Sequence, residues 1–300
     1  MKKPARPLPL RAWRRSPYRR GIIGPSMHTL SFVILTWNSR ATIGNCLSSI
    51  ADLCGTQGIS YDAFVVDNGS SDGTPGIVEG MAASMPVELI RLPHNMGTTV
   101  PRNLALKKCR GEFVCVMDSD AAFLEGDLAA LLDTLRGDPG IGILAPRLKF
   151  SDGAVQHSVR RFPTLFGKLG RIPAIVLKRE IPTDDSYPGF PFDHAADVDY
   201  AISACWLFRR DLLDTIGHLD ERIFYSPEDV DFCIRAWKAG KRVVYYPSFT
   251  VLHHVQRITH RNVFSRIAVS HLLGLLYYFV KHRYIRTPPH ISPRAPSGNR

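Results

Sequence analysis

The sequence predicts an α/β protein with a doubly wound, mostly parallel sheet, helices on both faces and a C-terminal helical segment. Three observations predict it. Between Leu30 and Asp118, four short apolar runs alternate with three segments of helical period. Three of these runs stop at polar clusters, Thr36-Trp-Asn38, Asp67-Asn-Gly69 and Asp118-Ser-Asp120. In doubly wound sheets that edge, beyond the carboxyl ends of the strands, is where ligands sit. The third observation is the run from Phe113 to Met117, continuous and rich in β-branched residues, as suits a strand buried on both faces.

The elements follow in order. Residues 1–28 form an Arg- and Pro-rich basic arm, either a solubilising tail or a segment that touches a membrane surface. The first strand is Leu30 to Thr36. Ser39 is placed to cap a helix in which Ile43, Leu47, Ile50 and Leu53 share one face. The second strand, Tyr61 to Val66, ends at Asp67. Thr74 and Pro75 then read as N-cap and first helical residue. A third strand spans Val87 to Leu92, a helix Val100 to Cys109, and the fourth strand runs into Asp118. A helix from Gly126 to Arg136 and a strand from Ile141 to Ala145 continue the pattern. Gly153 to Asp197 shows no period and reads as long loops near the substrate site. Val198 to Phe208 and Arg242 to Tyr246 are strand-like. Between them, Ser226, Pro227, Glu228 and Asp229 have the composition of a helix start, with the acids at the positive end of its dipole. Ile267 to Val280 is an apolar run with Arg266 before it and Lys281-His-Arg283 after it. It is too short to span a bilayer. It fits either a helix lying in the membrane interface with Tyr277 and Tyr278 at headgroup level, or one packed on the domain or a dimer partner. Residues 287–300 read as a disordered tail.

Hydrophobic content of 45% and charged content of 22% are those of a soluble globular chain. The formal net charge of +11 is uneven: residues 1–26 hold eight Lys/Arg and residues 232–300 hold twelve, with no acid in either. Residues 27–231 carry 18 basic residues against 27 acids, a net of −9. An acidic middle argues against a nucleic-acid groove, whereas basic ends suit an anionic surface. The six cysteines have no C-x₂-C spacing, so they read as reduced, buried thiols of a cytoplasmic protein. No G-x-G-x-x-G follows the first strand, which weighs against a dehydrogenase.

Asp118 and Asp120 point the same way along an extended chain. Two carboxylates on one side of a buried strand end call for a cation between them, and oxygen ligands of this kind suit Mg²⁺ or Mn²⁺. The plainer reading is a strand end that begins a turn.

Val33-Ile-Leu-Thr-Trp-Asn38, Val65-Val-Asp-Asn-Gly-Ser-Ser-Asp-Gly73, Asn95-Met-Gly97, Arg102-Asn103 and Met117-Asp-Ser-Asp120, in that order and spacing, resemble glycosyltransferase family 2. The resemblance covers roughly residues 29–255 and looks closest to bacterial rhamnosyltransferase-like members. It implies a GT-A fold over residues 29–256, with a nucleotide-binding half (29–125) and an acceptor-side half (126–256). Residues 257–286 would be the amphipathic, membrane-proximal helix. The implied reaction is inverting, metal-dependent transfer of a sugar from a dTDP- or UDP-linked donor to a glycan or lipid-linked acceptor in cell-surface polysaccharide synthesis. The resemblance makes Asp229 the catalytic base and adds His253, with His254 in reserve, to Asp118 and Asp120 as ligands of Mn²⁺ or Mg²⁺. Thr36, Asn38, Asp67 and Asn68 would hold the base and ribose, with Asp118 also on the nucleotide-sugar. Arg102 would meet the pyrophosphate or cap its own helix. The chain departs from the family where many close relatives have Asn for Asp118, where Gly is usual near Ser203 or Ala204, and where Val255-Gln256 replaces a Gly pair. Two rivals stand beside this reading: a sugar-nucleotidyltransferase, which would usually show a Gly-rich basic loop near the first strand, and a non-catalytic binding module using the basic ends. The expected place of action is the cytoplasmic face of the plasma membrane.

Overall fold

The computed structural model describes residues 28–165, 167, 187, 189, 190, 192–254 and 266–284. The basic arm up to residue 27, the C-terminal tail, residues 255–265 and much of the Gly153–Asp197 stretch lie outside the described residues.

Four strands form the amino-terminal part of the sheet: β1 (Leu30–Thr36), β2 (Tyr61–Asp67), β3 (Val87–Arg91) and β4 (Phe113–Asp118). They pair parallel in the order β3-β2-β1-β4, with Thr36 opposite Asp67 and Leu35 opposite Asp118. The polar clusters therefore meet on one edge, as their positions in the sequence predict. Beyond β4 the sheet becomes mixed. Strand β10 (Cys205–Arg209) runs antiparallel between β4 and β6 (Ile141–Lys149), and β11 (Arg242–His253) pairs parallel with β6. Strand β5 (Ala121–Glu125), with no counterpart in the sequence reading, pairs antiparallel with β11 and puts His253 opposite Ala121. Three short strands complete the described set: β7 (Val159–Arg160), β8 (Ala196–Asp197) and β9 (Tyr200–Ala201).

Side-chain alternation divides the core between two faces. Phe32, Ile34, Phe113, Cys115 and Met117 pack with Ile43, Leu47 and Ile50 of α1 (Ile43–Gln57) and with Leu128, Leu131 and Leu135 of α4 (Leu128–Gly137). Helix α2 (Thr74–Ala82) adds Val78 to that face. Val33, Val114, Val116, Trp206 and Phe208 pack on the other face with α3 (Thr99–Leu106), α5 (Leu212–Ile216), α6 (Glu228–Lys238) and α7 (Arg266–His282). Helices on both faces bear out the doubly wound reading. All six cysteines are free and buried.

Several local expectations are corrected. Ser39 does not cap α1, whose N-cap is Thr42. Its hydroxyl instead meets the Ser119 hydroxyl at 2.8 Å, and its N–H donates to Thr74 Oγ1 at 2.9 Å. Thr74 is thus the first residue of α2, not its cap, and Gly73 precedes it. Pro227, not Ser226, is the N-cap of α6, with no side-chain cap bond. A cap is worth ~1 kcal/mol and a buried Leu or Ile ~1.5–3 kcal/mol, so these helices are held by the faces they bury. The strand expected over Val198–Phe208 is broken, because Ser203 leaves the ladder to bond Arg102 and Glu228. The strand expected over Arg242–Tyr246 runs on to His253 as β11, with a register shift between Tyr246 and Thr250, where Pro247 has no N–H to donate.

Candidate active site

The site begins at the end of β4, where the chain leaves the sheet between Asp118 and Ala121. The Ser39–Ser119 bond turns Ser119 to one side, and Asp118 and Asp120 face the other. His254 N–H donates to Asp120 O at 2.9 Å, which latches the end of β11 to this turn. One atom each of Asp118, Asp120 and His253 lies within 4.8 Å of the others. His253 Nε2 is 3.5 Å from Asp120 Oδ1 and 3.9 Å from Asp118 Oδ2. His254, the reserve ligand, bonds Ser151 Oγ through Nδ1 at 2.7 Å.

This donor set fits a divalent cation: two carboxylate oxygens and an imidazole nitrogen are the ligands Mn²⁺ takes, with room for substrate oxygens. The electrostatics agree. Burial raises the Asp118 pKa, Arg102 opposes that, and Asp120 raises it further. Burial works against a charged His253, but its bond to Asp120 and the charges of Asp118 and Asp120 outweigh it, so its pKa is raised. A proton on His253 answers the same surplus of negative charge that a metal ion would.

Asp118 divides its two oxygens. Oδ2 faces His253, while Oδ1 accepts from Arg102 Nη2 at 2.5 Å. Arg102, 2% exposed, also reaches Glu228 at 3.3 Å and Ser203 Oγ at 2.9 Å through Nη1. Both terminal nitrogens are therefore engaged by protein groups, and Nε is buried without a partner. A single guanidinium thus bridges Asp118 at the end of β4 and Glu228 at the start of α6. Glu228 is buried, with its pKa pushed up by burial and by neighbouring Asp229 against the pull of Arg102 and Ser203. The Asp229 pKa is also raised by burial, opposed by the Val230 N–H and the charges of Arg160 and Arg102.

The loop before α6 is seated on the first half of the chain. Thr98 N–H donates to Phe224 O at 2.7 Å and Thr99 Oγ1 to Ile223 O at 2.7 Å. Gly97 has φ 84°, and a Cβ there would lie 2.0 Å from Phe224 O, so only glycine fits. Asn68 holds this Gly97 segment: Nδ2 donates to Gly97 O at 2.8 Å and Oδ1 accepts from Met96 N at 2.8 Å.

The remaining predicted residues lie on the same edge. Thr36 and Asp67 are buried register partners, and Thr36 Oγ1 and Asp67 Oδ1 have no hydrogen-bond partner. Asn38 is exposed at φ 51°, with Oδ1 accepting from Ser71 N at 2.9 Å, so it shapes the rim loop. Sequence reasoning missed Ser203, Gln156 and the pairing role of Glu228. The available signal for Glu228 was its place beside Asp229; the resemblance assigned only Asp229 a role, and capping accounted for Glu228.

The model of the family described as Glycosyl transferase family 2 matches residues 31–217. Among curated proteins, the N-acetylglucosaminyl-diphospho-decaprenol L-rhamnosyltransferase of Mycobacterium tuberculosis is 32% identical over 233 residues, covering 73% of this chain and 75% of the relative. Among solved structures, S. aureus TarS matches with a TM-score of 0.54 and 25% identity, over 76% of this chain but only 37% of TarS. A mannosyltransferase from Pyrobaculum calidifontis, solved with GDP-Man and Mn²⁺, matches with a TM-score of 0.55 and 20% identity over 88% of this chain and 67% of that one. The shared fold is the GT-A fold of glycosyltransferases. With the family model and the mycobacterial relative both covering most of the sequence, the chain belongs to glycosyltransferase family 2.

Proposed function

We propose that this glycosyltransferase moves a sugar, with inversion, from a nucleotide-diphosphate donor to a hydroxyl of a glycan or lipid-linked saccharide, using Mn²⁺ or Mg²⁺. The observation that carries the reading is the cluster of Asp118, Asp120 and His253, joined through Arg102 to Glu228, the neighbour in sequence of Asp229. The unpartnered, buried oxygens of Thr36 and Asp67 support a nucleoside site on the same edge. When bound, the divalent ion supplies Lewis-acid stabilisation of the charge that builds on the departing diphosphate. Asp118, Asp120 and His253 hold it. Asp229 accepts the proton of the attacking hydroxyl on the opposite face, and its raised pKa makes it a better base than an ordinary aspartate. One base suffices for a single displacement. Arg102 serves the donor side by holding Asp118, its terminal nitrogens being already engaged.

In this reading residues 29–125 bind the nucleotide and residues 126–256 form the acceptor side. The mycobacterial relative, named for transfer of L-rhamnose to a lipid diphosphate saccharide, supports a rhamnosyl or other hexosyl donor and an acceptor of the same kind; the nucleotide we propose is dTDP or UDP. We further propose that it acts in cell-surface polysaccharide synthesis at the inner face of the plasma membrane, where a lipid-linked acceptor would lie. Among the described residues no helix is long and apolar enough to cross a membrane; the proposed membrane contact is the exposed apolar face of α7.

Thermal shift with UDP, dTDP and GDP, each with and without Mn²⁺, tests the site. One nucleotide is expected to raise the melting temperature only with the metal, and Asp120→Ala to remove the effect. No shift with any nucleotide or metal would sink the reading.

A further inference from the structure

We propose that Gln156 is the positioning residue that makes His253 a metal ligand. The inference rests on the cation reading of the Asp118, Asp120 and His253 cluster and extends it to a residue with no place in that cluster.

An imidazole binds a cation through a nitrogen that carries no proton, so the other nitrogen must keep its hydrogen. His253 Nδ1 lies 2.8 Å from Gln156 Oε1. A carbonyl oxygen accepts and cannot donate, so this bond holds the proton on Nδ1 and turns the lone pair of Nε2 towards Asp118 and Asp120. The separations of 3.5 and 3.9 Å from Nε2 to the two carboxylates are close to the ~3 Å expected between neighbouring donors that share one ion at ~2.1 Å.

The Gln156 side chain comes from a pinned backbone. Its N–H donates to Leu148 O at 2.8 Å, and its carbonyl accepts from Ser158 N at 2.8 Å. Ser158 O in turn accepts from Ile202 N at 2.9 Å. The anchoring strand, β6, is paired along its length with β11, which carries His253. Ligand and orienting residue are thus held by the same pair of strands. The amide is also neutral, so it fixes the ring without adding charge to a site that already holds two carboxylates. The neighbouring His254, bonded to a serine hydroxyl that can donate or accept, has no comparable constraint on its tautomer.

The test is direct Mn²⁺ binding, read as free Mn²⁺ by electron paramagnetic resonance, on the full chain with and without UDP or dTDP. Gln156→Met keeps the length of the side chain and removes the acceptor, and it is expected to weaken Mn²⁺ binding by about 10-fold or more. Gln156→Glu restores an acceptor and is expected to bind within about threefold of wild type. In a His253→Ala background, Gln156→Met is expected to add no further loss, because the residue acts through the ring. Gln156→Ala provides a second deletion of the acceptor should the Met variant fail to fold, with melting temperature as the control. Binding by Gln156→Met or Gln156→Ala within twofold of wild type, or an equal loss with His253 already gone, overturns the proposal while leaving the metal site intact. Absence of Mn²⁺ binding by the wild-type chain, with or without nucleotide, overturns the metal reading and this inference together.

Discussion

Asp229 carries the sharpest consequences at the scale of single residues. Its pKa is raised, chiefly by burial, so the folded state binds its proton more tightly than the unfolded chain does. Stability therefore falls as pH rises from ~3.9, the ordinary aspartate value, through the raised one. Asp229→Asn is expected to raise the melting temperature at pH 7, with the gain shrinking towards pH 4, while kcat drops by ~10²–10⁴. Nucleotide binding in the presence of Mn²⁺ should survive the change. In the wild-type enzyme, kcat/KM is expected to fall on the acid side at a pH above the ordinary aspartate range, since the base works only when deprotonated. A stability gain with full activity would contradict the assignment. Arg102 behaves oppositely. It is buried between Asp118 and Glu228, so Arg102→Ala leaves two carboxylates without their cation and is expected to destabilise by ~3–5 kcal/mol in urea melts. Little of this is visible in the sequence. Asp118-Ser-Asp120 declares itself by alternation at a strand end, but the Arg102–Glu228 pair spans 126 positions, and local composition assigns those two residues only to helix starts.

Among the elements, α6 and α7 form a unit behind the site. Asp231, on the first turn of α6, accepts from His282 Nε2 at 2.8 Å and Lys281 Nζ at 2.5 Å, both on α7, and from Arg235 Nε at 2.9 Å. Lys281 also reaches Asp220 at 2.7 Å, as does Tyr277 Oη at 2.8 Å. Burial alone would raise the Asp231 pKa, but His282, Arg235 and Lys281 more than reverse it. A depressed carboxylate stabilises the fold above its unfolded pKa of ~3.9 and loses that effect as pH falls through its folded value. Asp231→Ala is expected to lower stability by ~3 kcal/mol at pH 7, and the difference from wild type should narrow as acid protonates Asp231 in the wild type. Close to this unit, Gly274 of α7 lies against the loop that leads into α6 and so to Asp229. A Cβ there would sit 2.3 Å from Ser226 O, a backbone atom that cannot yield as a side chain could. Gly274→Ala is expected to cost ~1–3 kcal/mol in denaturant melts and to lower kcat more than it raises KM for the donor. The tyrosines expected at headgroup level have other partners. Tyr278 is buried and bonds Tyr284 Oη, while Tyr277 bonds Asp220, because this face of α7 packs on the domain.

At the scale of the whole molecule, the C-terminal helix α7 packs one face on the domain, as one of its two readings expects, and leaves the other face exposed. Leu275, Tyr278 and Phe279 are buried in the domain. Leu272, Leu273, Leu276 and Val280 are 48–76% exposed, in a segment where residues 232–300 carry twelve Lys/Arg and no acid. An exposed apolar stripe, in a stretch of sequence with basic residues and no acid, suits an anionic bilayer surface. Leu273→Ser with Leu276→Ser is expected to reduce co-sedimentation with vesicles containing anionic lipid by roughly tenfold or more. Melting temperature and nucleotide binding should be unchanged, because both side chains point away from the domain. Retention of vesicle binding by the double variant would count against membrane docking by this helix.

What the sequence by itself determined is whatever depends on neighbours along the chain. Apolar runs such as Leu30–Thr36 and Phe113–Met117 dictated buried strands, helical spacing dictated the covering helices, and three polar run-ends in a doubly wound order dictated a site on one edge. The family motifs were legible for the same reason, being short and contiguous. Tertiary structure decided what depends on partners far apart. It inserted β10 antiparallel between β4 and β6, formed β5 against β11, turned His253 rather than His254 to the carboxylates, and set Gln156 behind it. It also gave Ser39 and Thr74 to each other instead of to their helices. The physical reason is that a hydrogen-bond donor or a buried charge takes the best partner the folded chain brings within about 3 Å, and sequence distance does not enter that choice.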